Sequence, residues 1–200
     1  MATILPAGYL PSVRYMARVV QGVCIIDTGE HFIKRSERNR ASILAPEGPM
    51  QLTVQVERAN RPRTPMRDMR IDYSKRWQHQ HWTAMVSYYR SSPYFDHYAP
   101  RFERFYAERW ESLAEYDLAL LRTMLDCIGC HMPRVSEHYV EAAPGDLDLR
   151  PKNAKDPAFH AEPYVQVFAD RMPFIENLSF ADLLFCEGPN SICVLRDCLR

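Results

Sequence analysis

Two apolar runs, ATIL at 2–5 and VCII at 23–26, flank the segment PSVRYMARVV at 11–20. That order constrains the fold more than any other feature. Two strands separated by a helix do not form a hairpin; they pair in parallel through a crossover, which is right-handed. The middle segment suits a helix because Pro11 can stand at its first position, where no intrahelical amide bond is lost. Val13, Met16, Ala17 and Val20 then share one face, and Gly22 ends it. VCII is bounded by Asp27 and Gly29, as expected for a buried strand.

A hairpin follows. ASILA and MQLTVQV flank PEGP, and Leu52, Val54 and Val56 alternate onto one face. RANRPRTPMRD reads as a polar loop and MRIDY as one more strand. From Ser74 the period becomes helical, with Trp77, His81, Met85 and Tyr88 at i, i+4, i+8 and i+11. One helix or two continue through SSPYFDHYAPRFERFYAERW, and residues 111–128 form another. Residues 143–163 carry four prolines and many charges and read as a loop or lid. YVQVF at 164–168 reads as a short strand. Ser179 suits an N-cap, with Asp182 three residues on and Gly188 closing the helix. The predicted class is mixed α/β: an N-terminal βαβ unit with a β-hairpin, then a mainly helical C-terminal half, with α+β as the alternative. One domain over 1–200 is expected, its α/β part ending near 73.

At 46% hydrophobic the chain can bury a sizeable core. No run approaches the roughly 20 apolar residues needed to span a bilayer, and Pro6, Pro11 and Arg14 interrupt any export signal. A cytoplasmic protein with reduced thiols is therefore expected. CIGCH at 127–131 matches the c-type haem attachment pattern, but it sits at a helix end that Gly129 is suited to stop. The pattern is read as coincidence. No second cysteine or histidine pair completes a metal site, and His79 and His81, two apart on a helix, do not share a face. No metal is expected, and no cofactor is indicated.

The charge is uneven. The chain has 25 basic and 25 acidic residues, yet residues 1–76 hold 13 basic and 7 acidic ones. Between Lys34 and Arg40 stand four cations and one acid, Glu37, just past the second strand. Ligands of open α/β sheets bind at the carboxyl ends of strands. Lys34, Arg35, Arg38 and Arg40 are thus candidates to hold a phosphate or pyrophosphate by charge-assisted hydrogen bonds. The competing reading is a solvated turn whose cations pair with Glu30 and Glu37; composition favours it slightly, and the position at a strand end brings the two near parity. His31 and His81 are the candidate acid–base groups, because imidazole titrates near neutrality. Asp27 could orient a partner or bind a hydroxyl. Aromatic and basic residues interleave in YSKRWQHQHW, which suits single-stranded nucleic acid, but the neutral net charge argues against that partner. Walker A, GxGxxG and GxSxG patterns are missing.

Several segments taken together resemble the WbqC-like protein family of bacteria. They are LPAGYLPSVRYMARV, DTGEHFIKRSERNRASI, PEGPMQLTVQV, WQHQHWTAMVSYYRSSPYF, YVQVF and FIENLSFADLLFCEGP, in that order from Leu5 to Pro189. The resemblance rests on Lys34, Arg35, Asn39 and Arg40 of a KRxxxNR element, on the pair His81 and Trp82, and on the element from Asn177 to Pro189. It implies a role in the synthesis of O-antigen and related surface polysaccharides. It also implies modification of an amino sugar, with glycyl or other acyl transfer to a nucleotide- or lipid-linked sugar. It adds Asn39, Trp82, Gln166 and Asn177 to the candidate substrate-binding residues. The alternative is a non-catalytic binding or assembly protein of the same pathway. Two departures stand out: the segment before YVQVF is shorter than in many members, and Glu176 occupies a position where proline is common. The opening also resembles nucleotidyltransferase-like domains, without their HxGH signature; here the stretch reads GYLPSVRY.

Overall fold

The computed structural model describes residues 1–58 and 63–199. β1 (Thr3–Pro6), α1 (Val13–Gln21) and β2 (Cys24–Asp27) form the expected crossover unit. β1 and β2 run parallel, with Thr3 opposite Cys24 and Pro6 opposite Asp27. Ser12 caps α1 by accepting a hydrogen bond from the Tyr15 amide, so the helix starts two residues after Pro11.

β3 (Arg40–Ala45) and β4 (Gly48–Thr53) make the antiparallel hairpin. Pro46 cannot take the positive φ of a primed turn, and Gly48 supplies it instead at φ +121°. α2 (Trp77–Tyr89), α3 (Phe95–Ala107) and α4 (Leu113–Cys127) follow. Gly129, at φ +68°, lies just past the end of α4, as CIGCH suggested.

The second half also returns to the sheet. β5 (Arg134–Ser136) lies beside β2 and β6 (Leu147–Asp148) beside β1, giving the parallel order β5-β2-β1-β6. α5 (Phe180–Glu187) and α6 (Ser191–Asp197) complete the chain. The core joins α1 to the three central helices through Tyr9, Tyr15, Trp77, Tyr89, Phe102, Phe105, Tyr116 and Phe185, each under 2% exposed. The protein is mixed α/β, with a parallel sheet, helices and a separate hairpin sheet.

Two expected strands do not form. MRIDY contributes only isolated bridges, Val56 to Ile71 and Arg70 to Ser112. YVQVF forms turns because its side chains replace a ladder. Gln166 accepts from the Ile175 amide and donates to the Ile175 carbonyl, both at 2.9 Å, closing a loop over 166–175. Tyr164 donates to the buried Asp182 carboxylate at 2.5 Å, and Tyr89 does so at 2.6 Å. Within RANRPRTPMRD, residues 59–62 lie outside the described residues. Among the described residues, no helix is long and apolar enough to cross a membrane.

Candidate functional site

At the carboxyl end of β1 the chain turns through Tyr9–Ser12 into α1 and leaves a cavity of about 240 Å³. The basic segment forms its opposite wall. Pinning comes from the backbone: the Tyr9 amide donates to the Glu37 carbonyl at 2.9 Å. Within the segment, side chains divide by position. Ser36, Arg38 and Asn39 are buried, while Glu37 and Arg40 are half-buried and Arg35 is exposed; Arg35, Ser36, Glu37 and Arg40 line the cavity. A third cation, Lys152, reaches the cavity from the loop after β6.

Arg35, Arg40 and Lys152 have no ion pair or side-chain hydrogen bond among the described residues, and the Arg40 Nε is buried without an acceptor. Unpaired cations gathered in a concave site leave their charge for a ligand. The hairpin adds a neutral polar wall: Ser42 and Gln51 are cross-strand partners and both line the cavity. Asn177 also lines the cavity. Its Oδ1 accepts from the Arg14 amide at 2.9 Å, which fixes the amide group and leaves Nδ2 as a donor.

The amides opening α1 are already taken. Val13 donates to the Leu178 carbonyl, Arg14 to Asn177 and Tyr15 to Ser12. A phosphate here would be held by side chains, not by the helix N-terminus that nucleotidyltransferase-like domains use.

Among the described residues five non-glycine residues have positive φ. Arg63 and Phe168 lie away from the cavity, and the other three, Leu10 (φ +41°), Arg35 (φ +60°) and Asn177 (φ +54°), line it. Such residues cluster at binding sites because the surrounding structure must hold them there.

Other residues singled out in the sequence lie elsewhere. Asp27 is fully buried at the end of β2. Its Oδ1 accepts from the amides of Gly29 and Glu30, and its Oδ2 from the Val140 amide and Arg150 Nη1 at 2.5 Å. Arg38 is buried beside it and donates to both carboxylate oxygens of Glu30, at 2.9 and 2.5 Å, and to the Arg150 carbonyl at 2.8 Å. Burial pushes the Glu30 carboxyl up to about 7, against the pull of Arg38. Asp27 and Arg38 thus belong to one buried charge network at the sheet edge.

His81 is 5% exposed. Its Nε2 accepts from the Thr53 amide at 3.1 Å, so Nδ1 carries the proton and donates to the Tyr9 hydroxyl at 2.9 Å. Tyr9 in turn contacts the Tyr106 hydroxyl at 3.0 Å. Burial lowers the His81 pKa to about 4 and pushes the Tyr9 phenol well up. Trp82 stacks on Tyr106 with centroids 5.6 Å apart. Asn39 donates to the Val54 carbonyl at 3.0 Å and holds the start of the hairpin. His31 and Lys34 are exposed and do not line the cavity, and Gln166 closes its own loop.

Of the candidates, Arg35, Arg40 and Asn177 therefore come together. Ser12, Glu37, Ser42, Gln51 and Lys152 join them without having been singled out as site residues. Glu37 carried one signal, as the lone acid among four cations. Lys152 carried none, because its distance in sequence hides its place in the fold.

No curated protein and no solved structure matches the chain. A sequence model of the WbqC-like protein family matches residues 7–154, which include the turn after β1, the basic segment, the hairpin and Lys152. The chain belongs to the WbqC-like protein family.

Proposed function

We propose that this protein is a cytoplasmic transferase of surface-polysaccharide biosynthesis that binds a diphosphate-linked amino sugar in the cavity beside Tyr9–Ser12. The observation that carries the reading is the set of three cations, Arg35, Arg40 and Lys152, without a partner among the described residues around one concave site. Arginine forks suit phosphate oxygens, and lysine adds a point charge. Ser42, Gln51 and Asn177 supply the neutral donors and acceptors that sugar hydroxyls need. Membership of the WbqC-like protein family supports the sugar class, through the O-antigen role that the resemblance implies. Acyl transfer, including glycyl transfer, to the sugar amine is the chemistry this reading favours; the sugar carrier is a nucleotide or a lipid diphosphate.

One observation favours a non-catalytic binding role instead: among the described residues, no histidine lines the cavity. In that case ligand binding occurs without turnover.

A thermal-shift panel of UDP-, dTDP- and GDP-linked sugars tests the site. Ligand at 100 times Kd stabilises the folded state by about 2.7 kcal/mol. Arg40→Ala is expected to weaken binding by about tenfold or more, through loss of a charge-assisted bond. Equal shifts in wild type and variant would remove Arg40 from the site. No shift with any sugar, and none with a lipid diphosphate, would end the diphosphate reading.

A further inference from the structure

The cavity contains one carboxylate among its lining residues, and it is only half engaged. Glu37 Oε1 accepts from Ser12 Oγ at 3.1 Å and from Arg14 Nη2 at 3.2 Å. Oε2 has no hydrogen-bond partner among the described residues, and the side chain is 31% exposed. Arg14 is itself anchored, with Nη1 donating to the Ala154 carbonyl at 2.9 Å. Ser12 and Arg14 thus hold the carboxylate through one oxygen, and the other oxygen has no protein partner among the described residues, on a side chain that lines a site otherwise rich in cations.

We infer that Glu37 recognises the amino group of the substrate, so that the cavity selects a phosphorylated amino sugar over the hydroxy sugar of the same shape. The inference rests on the phosphate reading above and deepens it. A carboxylate oxygen accepts from an ammonium in a charge-assisted hydrogen bond, roughly twice as strong as one from a neutral hydroxyl. Against a simple phosphate, an acid in this position adds no attraction, even with Arg14 paired to it at 3.2 Å. Against a ligand that carries both charges, Arg35, Arg40 and Lys152 take the phosphate while Glu37 takes the amine. Arg35, Glu37 and Arg40 fall within one six-residue stretch, so the two ligand charges must also be close neighbours. A 2-amino sugar 1-phosphate, with amine and phosphate on adjacent carbons, meets that condition.

The test is calorimetric titration of the full chain with glucosamine 1-phosphate, glucose 1-phosphate and inorganic pyrophosphate. Wild type is expected to bind glucosamine 1-phosphate about tenfold more tightly than glucose 1-phosphate at neutral pH. Glu37→Gln keeps an acceptor for Ser12 and Arg14, and is expected to abolish that preference while binding pyrophosphate at least as well as wild type. The wild-type preference is also expected to fade as pH rises and the sugar ammonium loses its proton. Equal affinity of the two sugar phosphates in wild type, or a preference that survives in Glu37→Gln, would overturn the inference alone. Failure of pyrophosphate and both sugar phosphates to bind would overturn the phosphate reading and this inference with it.

Discussion

Replacing Arg150 by alanine is expected to lower stability by about 3–5 kcal/mol, because it strands a buried carboxylate. Arg150 Nη1 donates to Asp27 Oδ2 at 2.5 Å and to the Val140 carbonyl at 2.7 Å. Its Nε and Nη2 donate to Asp148 at 2.9 and 2.7 Å. The Arg150 side chain is 4% exposed and the Asp27 side chain is fully buried, so solvent does little to screen the pair. Three backbone amides would still reach Asp27 in the variant, but no cation among the described residues would. The same arginine joins the ends of β2 and β6, so its loss also loosens two ends of the sheet. Urea unfolding of wild type, Arg150→Ala, Asp27→Asn and the double variant would measure the coupling. The double variant should recover much of the loss, since it no longer buries an unpaired charge. A single-variant loss under about 1 kcal/mol, the range of an exposed pair, would contradict the network as described.

The second large effect concerns acid. The folded-state pKa of His81 is about 4, and burial is the cause. In the unfolded chain an imidazole titrates near ~6.5. The unfolded state therefore binds the proton more tightly, and stability is present in full above about pH 6.5 and lost as pH falls towards 4. The shift corresponds to about 3 kcal/mol. Protonation would also remove the Nε2 lone pair that accepts from Thr53, so the helix α2 and the end of β4 would lose their link. His81→Gln retains an acceptor near that position and does not titrate. Between pH 6.5 and 4 the wild type should lose about 3 kcal/mol more than this variant. Parallel stability curves for the two proteins would show that His81 is not the titrating group.

The βαβ opening, the hairpin and the helices α2 to α4 were legible because each carries its own periodicity and punctuation. Pro11, Gly22, Gly48, Gly129, Ser179 and Gly188 all mark breaks or caps near where the backbone changes course. β5 and β6 were not legible: strands of three and two residues have no period to read, and they exist only because β1 and β2 offer edges. YVQVF misled because an alternating pattern is the same whether Tyr164 and Gln166 face a sheet or, as here, reach Asp182 and Ile175. The basic segment announced a charge but not its use. A loop has no fixed period, so nothing in KRSERNR separates Arg38, buried against Glu30, from Arg40, which lines the cavity. Local pattern predicts local structure, and the site is assembled from Tyr9 to Ser179.

The left-handed backbone at Arg35 sets stability and binding against each other in any directed-evolution experiment. Arg35 is exposed and has no protein partner among the described residues, so its side chain contributes little to folding. Its φ of +60° costs roughly 1–2 kcal/mol that glycine would not incur. A library selected for heat resistance alone should therefore drift to Arg35→Gly, and one selected for anion capture should keep arginine. Sequencing position 35 after each selection would show which demand has shaped it.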